Sequence, residues 1–367
     1  MSSAAESIDH DPRWRDSAWR SRLRRRLLQW FETNSRTLPW RQSRDPYRVW
    51  ISEIMLQQTQ VATVIPYFER FTESFPTVAE LAAASEQEVL RHWEGLGYYR
   101  RARQMHAAAQ KIVEEHDGEF PEQFADVLAL PGIGRYTAGA ILSISRDHRL
   151  PVVEANTLRL YSRLIGLRSP PTIAASQRVL WEFAESILPQ RGSGHLNQAA
   201  MELGSLVCTP RSPTCDTCPL AAGCVAREMG LQESIPGKVK KIQYEDRREV
   251  AVVVCDQQRF LVRQCQPGER WAGLWDFPRC EVAGDADAML VAADHLRDAF
   301  GQSIQPPQPL MRIKHGVTKY RIMLEVLSAK LAGEAQPISD PGTRWLTRTQ
   351  IGKLPLSTTG RKIFKKL

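Results

Sequence analysis

The 367-residue chain is predicted to fold as a multi-domain protein, an all-α domain followed by an α+β domain. Three observations carry this. Residues 20 to about 205 repeat apolar positions at helical spacing. Beyond about residue 245 the period shortens to two, in β-branched runs. Between the two lie four closely spaced cysteines and a polar, Lys-rich segment. The boundaries expected are a disordered tail over 1–20, a helical domain over 21–207, a cysteine loop over 208–225, a linker over 226–247 and a second domain over 248–367.

The N-terminus "MSSAAESIDHDPRWRD" carries acidic residues and no apolar signal region, so a cytoplasmic location is expected. No apolar run approaches the roughly 20 residues needed to cross a bilayer, so no membrane association is expected. The 49 Lys and Arg against 41 Asp and Glu give a net charge of +8, compatible with a polyanionic partner without specifying one. The densest basic segment, "RSRLRRRLLQW", reads as an amphipathic helix whose charges serve equally well as a solvated face or a phosphate contact.

Next come "VWISEIMLQQTQVATVIPYFERF", "TVAELAAASEQEVLRHW" and "RARQMHAAAQKIVEEH", each read as an amphipathic helix, with breaks at Gly or Pro. Glu53 lies in the first of them among Trp50, Ile51, Ile54, Met55 and Leu56. Burial there would raise its pKa and make it a general acid, whereas a surface position would pair it with Arg41 or Arg48. Gln57 and Gln58 offer amides at the same rim.

"LALPGIGRYTAGAILSI" sets Leu-Pro-Gly-Ile-Gly between two helical patterns. The backbone N–H groups of Gly132 and Gly134 can open onto an anion at the start of the next helix. The same pattern also suits an ordinary helical corner. Tyr136 would sit in the first turn, facing whatever the loop holds. In "PVVEANTLRLYSR" an apolar strand end meets Glu154, with Asn156 expected as the N-cap of a helix. Glu154 is then either a solvated neighbour of that cap or a carboxylate with chemistry to do.

Seven cysteines without an export signal imply reduced thiols or a metal site. Cys208, Cys215, Cys218 and Cys224 follow C-x6-C-x2-C-x5-C. Structural zinc sites pair cysteines at about two to four residues twice over, and this loop has only one such pair. A single local segment suits a 4Fe–4S cluster, preferred here over zinc or free thiols. Cys255, Cys265 and Cys280 read as small buried hydrophobes. In the second domain "EVAVVVC" and "FLVRQC" form a hairpin, "AMLVAADHLRDAF" a helix and "YRIMLEVLSAKL" a strand.

Together "PWR", "SEIMLQQTQVATVIPYFERF", "EGLGYYRRAR", "LPGIGRYTAGAI", "NQAAMELGSLVC" and the cysteine spacing resemble the MutY-type adenine DNA glycosylases. These belong to the helix–hairpin–helix superfamily that includes endonuclease III. The resemblance runs from about Thr37 to Cys224 and resumes at "WAGLWDFP" in a domain similar to the Nudix fold. It implies base-excision repair of adenine mispaired with 8-oxoguanine or guanine in double-stranded DNA, by a protein expected to be monomeric and nucleoid-associated.

By position, the resemblance makes Glu53 the acid that protonates adenine. Glu154 takes the place of an aspartate that stabilises the oxocarbenium-like sugar, electrostatically or by transient covalent attachment. Tyr136 and Asn156 would support Glu154, and Glu202 would join the network around the leaving base. Trp40 and Arg41 would form the adenine pocket, while Gln58 and Tyr98 would enter the duplex. Bifunctional relatives place a lysine at Tyr136, so a monofunctional enzyme is implied.

The second domain lacks the Glu-rich Nudix helix, and the resemblance assigns it to sensing oxidised guanine. The family's Phe-Ser-His triplet corresponds here to Val317, Thr318 and Lys319 in "HGVTKYRI". Only the hydroxyl, on Thr318, is kept. The family's Asp-Gly-Asn is Glu-Ala-Asn here. The alternatives are a glycosylase of the same fold acting on thymine or another mismatched base, and a DNA-binding relative without catalysis.

Overall fold

The computed structural model describes residues 9–237, 243–338 and 340–367. The chain divides into two compact units, one of residues 1–82 and 107–240, the other of 83–106 and 241–367.

In the first unit a 3-10 turn (Pro12–Arg15) precedes α1 (Ser17–Asn34), so residues 12–20 are folded, contrary to the expected tail. The cause is Trp14 and Trp19, both buried in the same core as Leu23, Leu27 and Phe31. The tail expectation for residues 1–8 lies outside the described residues. Asp16 caps α1 by accepting from the Ala18 N–H.

α2 (Pro46–Leu56) starts with Asp45 as cap and Pro46 in the first turn. The helix expected to run on to Phe71 stops here. Gln58 takes a left-handed φ of 56°, and α3 (Val61–Ser74) follows as a separate helix. The next expected helix is likewise two, α4 (Val78–Ala83) and α5 (Glu86–Trp93), because Ser85 and Glu88 form a capping box. After α6 (Arg100–Glu115) come α7 (Phe124–Leu128), α8 (Arg135–Arg146), α9 (Ala155–Ile165), α10 (Ala174–Ser186) and α11 (Ser193–Leu206). The expected strand before Glu154 is absent; Pro151, Val152 and Val153 are buried as irregular backbone.

The cysteine loop is two 3-10 turns closed by α12 (Val225–Glu228). Part of the expected linker belongs to this unit, since Ile235 is buried and its carbonyl accepts from Arg163 Nε at 2.9 Å. Residues 238–242 lie outside the described residues.

In the second unit β1 (Glu245–Asp256) and β2 (Arg259–Gln264) form the expected hairpin, with Cys255 opposite Phe260. β3 (Trp275–Asp276), β4 (Arg279–Val282), α13 (Ala288–Phe300), β5 (Gln308–Val317), β6 (Tyr320–Lys330), β7 (Thr343–Thr347), α14 (Arg348–Lys353) and α15 (Thr358–Phe364) complete it. The sheet order is β3-β2-β1-β6-β5, with β4 on β1 and β7 on β2. Only β1 and β6 run parallel among these pairs. Alternation along β1 sends Val250, Val252 and Val254 to the α13 side, and Ala251 and Val253 to the side of Ile351 and Ile363. Both faces are covered, as a mixed α+β domain requires. Among the described residues no helix is long and apolar enough to cross a membrane.

Candidate active site

A cleft of about 960 Å³ opens in the helical unit. Trp40, Arg41, Glu53, Gln57, Gln58, Gly132, Gly134, Tyr136, Glu154, Asn156 and Glu202 all line it. These residues come from five chain segments, and helix ends supply most of them.

Glu53 is carried by α2 and is only 3% exposed. The Tyr136 hydroxyl donates to its Oε2 at 2.7 Å. Burial pushes the Glu53 pKa up to about 7, and the charge of Glu154 adds to this. The Tyr136 hydrogen bond and Arg41 pull the other way without cancelling it. The surface position paired to Arg41 or Arg48 is thereby excluded. A carboxyl of this kind still holds its proton in about half of the molecules at neutral pH and can give it to a base.

Glu154 is itself the N-cap of α9, correcting the placement of the cap at Asn156. Its Oε2 accepts from Asn156 N at 2.9 Å and Nδ2 at 3.3 Å, and its Oε1 from Thr157 N at 3.0 Å. Thr157 Oγ1 accepts from Glu154 N in return. Burial raises the Glu154 pKa above its ordinary value, and these N–H donors and Arg159 offset it only in part. A helix N-terminus favours negative charge, so the carboxylate is steadied where it faces the cleft. Tyr136 bonds Glu53 rather than Glu154, which corrects the expected pairing, whereas Asn156 does hold Glu154.

Glu202 on α11 is 1% exposed. Arg36 Nε donates to Oε1 and Arg36 Nη2 to Oε2, at 2.9 and 2.8 Å. Arg41 Nη2 also reaches Oε2, at 2.9 Å. Burial pushes its pKa up, but the Arg36 and Arg41 hydrogen bonds outweigh it and hold Glu202 at about 2. Trp40 is buried with its ring edge against Phe68, 5.4 Å between centroids. α11 meets α9 closely: a Cβ on Gly204 would lie 2.7 Å from the Asn156 carbonyl oxygen.

Gly134 caps α8, and Gly132 has a φ of +78° that a side chain would strain. A Cβ on Gly134 would meet nothing, so the turn faces open space in the cleft wall. Tyr98 and Thr318 are not in this cleft; both belong to the second unit. Tyr98 is 58% exposed with a φ of 47°. Thr318, also left-handed at 53°, forms the β5–β6 turn and donates to the Val317 carbonyl. No residue pattern marks Arg36 or Thr157, whose parts depend on a carboxylate distant in the chain or on the cap geometry.

Cys208 is buried, and Cys215, Cys218 and Cys224 are half-buried. Three of the four pack on the core of the helical unit. Burial raises the pKa of Cys215, Cys218 and Cys224, the second to about 12, and the charge of Cys208 adds to each. Arg163 Nη1 donates to Cys208 Sγ at 3.3 Å. Among the described residues no three His, Cys, Asp or Glu side chains converge on a single-ion site. An iron–sulfur cube places each thiolate on its own iron, so it needs no such convergence. Four neighbouring thiols, costly to ionise unless bound to cations, fit that group.

Residues 51–186 match the HhH-GPD superfamily of base excision DNA repair proteins, and residues 249–366 match the NUDIX domain. The adenine DNA glycosylase of Rattus norvegicus is 33% identical over 94% of this chain and 77% of its own. That of Buchnera aphidicola (from Schizaphis graminum) is 40% identical over 70% of this chain and 74% of its own. The solved structure of a thermostable thymine-DNA glycosylase covers 58% of this chain and 98% of its own, at 25% identity and a TM-score of 0.53. The chain therefore belongs to the adenine DNA glycosylase family, base-excision repair hydrolases that join a helical HhH-GPD domain to a Nudix-like domain.

Proposed function

We propose that this chain hydrolyses the N-glycosidic bond of adenine mispaired with 8-oxoguanine or guanine in double-stranded DNA. The observation that carries the reading is a buried, proton-holding Glu53 sharing one cleft with a helix-capping Glu154. The flipped adenine enters between Trp40, Arg41 and the Arg36–Glu202 pair. Glu53 gives its proton to a ring nitrogen, the bond to the sugar breaks, and its electron pair leaves with neutral adenine. Glu154 stabilises the oxocarbenium-like sugar by its charge. Both its oxygens accept from α9, and Oε1, which takes the Thr157 N–H, keeps a second lone pair, so transient covalent attachment to the sugar is equally open to it. Water then adds to the sugar carbon and returns a proton to Glu53.

Tyr136 orients Glu53 and, being a phenol, forms no Schiff base, so strand cleavage is not part of the reaction. Gly132 and Gly134 hold a backbone phosphate through N–H groups. Gln57, Gln58 and Tyr98 engage the disrupted stack, and the Thr318 turn contacts the opposing base. Cys208, Cys215, Cys218 and Cys224 would hold a 4Fe–4S cluster, which would tie the loop to the helical core. The helical domain begins near residue 12 rather than 21, residues 83–106 group with the C-terminal unit, and the stretch around Ile235 of the expected linker belongs to the helical unit.

One assay decides. Duplexes with adenine opposite 8-oxoguanine, adenine opposite guanine, and thymine opposite guanine are incubated with enzyme, then treated with alkali. Cleavage of the adenine duplexes supports the proposal. Cleavage of the thymine duplex alone would refute it, and no product anywhere would leave a DNA-binding protein. Strand breaks before alkali would sink the monofunctional assignment.

A further inference from the structure

Within the second unit, one short stretch of the N-terminal half of the chain is tied to the C-terminal domain. α5 docks on the "WAGLWDFP" segment: Gln87 Nε2 donates to the Gly273 carbonyl at 2.9 Å, and Trp275 Nε1 donates to Gln87 Oε1 at 3.0 Å. Gly273 permits the approach, since its Cβ would lie 2.9 Å from Glu86 Oε1. Arg103, in the first turn of α6, donates to the Ala272 carbonyl. Just past α5, Glu94 accepts a two-pronged hydrogen bond from Arg361 of α15, with Nη2 to Oε2 at 2.8 Å, and another from Leu356 N at 3.3 Å. Arg91 completes the shell around the carboxylate. The Glu94 and Arg361 side chains are only 11% and 18% exposed, so the pair is held rather than fluctuating in water.

What this anchors is a strained loop. Gly95, Gly97 and Tyr98 all have positive φ, at 101°, 73° and 47°. A non-glycine residue in that region persists only where its surroundings impose it. Inside the loop Trp93 Nε1 and Arg101 Nη2 donate to the Gly97 carbonyl, Gly95 N donates to the Tyr99 hydroxyl, and the Arg101 guanidinium lies over the Trp93 and Tyr98 rings. The loop's product is Tyr98, a large aromatic that stands exposed at the tip.

We infer that Arg361 and Glu94 are positioning residues that hold Tyr98 in its protruding conformation, so that the C-terminal domain helps open the duplex through this loop. The inference rests on the glycosylase reading above and adds a second task for the C-terminal domain, separate from any contact its Thr318 turn makes. An aromatic that enters a stack works only if its backbone resists being pushed back, and the Arg361 fork supplies that resistance from outside the loop.

The test uses the full-length protein in single-turnover excision on duplex carrying adenine opposite 8-oxoguanine. Arg361→Gln, Tyr98→Ala and the double variant are compared, with Glu94→Gln as a milder break in case Arg361→Gln folds poorly. Misplacing Tyr98 should slow excision by on the order of tenfold to a hundredfold. The double variant should be no slower than Tyr98→Ala alone. In parallel, 2-aminopurine replacing the adenine reports unstacking: measured well below each variant's melting transition, the signal should fall in Arg361→Gln as it does in Tyr98→Ala. Losses that multiply in the double variant, or an undiminished unstacking signal in Arg361→Gln and Glu94→Gln, would overturn the inference. A wild-type protein that releases no adenine would instead overturn the function, so the two failures are distinct.

Discussion

The Tyr136 hydroxyl donates its hydrogen bond to Glu53, 2.7 Å away, while Glu154 takes its hydrogen bonds from Asn156 and Thr157. A donor to the ionised form lowers a carboxyl pKa, and this one keeps burial from pushing Glu53 higher still. Tyr136→Phe should therefore raise the Glu53 pKa above about 7. The acid must be protonated to act, so activity falls as pH rises through that pKa. The variant's single-turnover rate should hold to a higher pH than wild type, and an unmoved profile would contradict the arrangement.

Glu53→Gln should reduce excision by about a hundredfold to ten-thousandfold, the usual worth of a positioned acid, with duplex binding retained. It should also flatten stability against pH. Glu53 has a folded pKa of about 7, above the ordinary glutamate value of 4.5, so the folded state binds the extra proton. Stability from this group is present below the lower value and is lost as pH rises through the upper one. Melting temperatures at pH 5 and pH 8 should differ less in Glu53→Gln than in wild type.

Glu154 combines charge and capping, and two substitutions separate them. Glu154→Ala loses both, costing about 1 kcal/mol as a lost helix cap together with most activity. Glu154→Asp keeps a good capping residue and the charge but draws the carboxylate back by one methylene. Its melting temperature should stay close to wild type, whereas excision is not expected to exceed it. Faster excision by Glu154→Asp would mean that the longer side chain is a handicap in this cleft.

Glu202 behaves oppositely to Glu53 in acid. Its folded pKa is held near 2, so its contribution is present above about 4.5 and disappears as pH falls toward 2. Glu202→Gln should cost about 3 kcal/mol at neutral pH, because Arg36 and Arg41 lose a buried partner. Denaturant unfolding at pH 7 measures the loss.

Cys215→Ser should yield a paler protein with less visible absorbance per chain and a lower melting temperature. Retention of the wild-type spectrum would remove Cys215 from the ligand set.

Much of this was legible in the chain. Helical spacing gave the first domain, and alternation along β1 gave the second, because both report the face an element buries. Helix ends were less legible. The break after Leu56 depends on one left-handed residue, Gln58, and the break before Glu86 on a capping box inside an apolar pattern. For the site, residue types in long motifs located Glu53, Tyr136 and Glu154, but not which oxygen each hydroxyl or amide would choose. Cap geometry settled that for Glu154. Arg36 was invisible because its partner Glu202 lies 166 residues away.

The close approach at Gly204 has a consequence beyond packing. Since only a hydrogen atom separates α11 from the Asn156 carbonyl, the spacing between the two helices is set by main chain rather than by side chains that could repack. The Glu202 and Glu154 carboxylates are thus mounted on a common chassis. A lineage can lengthen one of them by a methylene, as the Glu-Ala-Asn sequence does, without disturbing the bearing of the other.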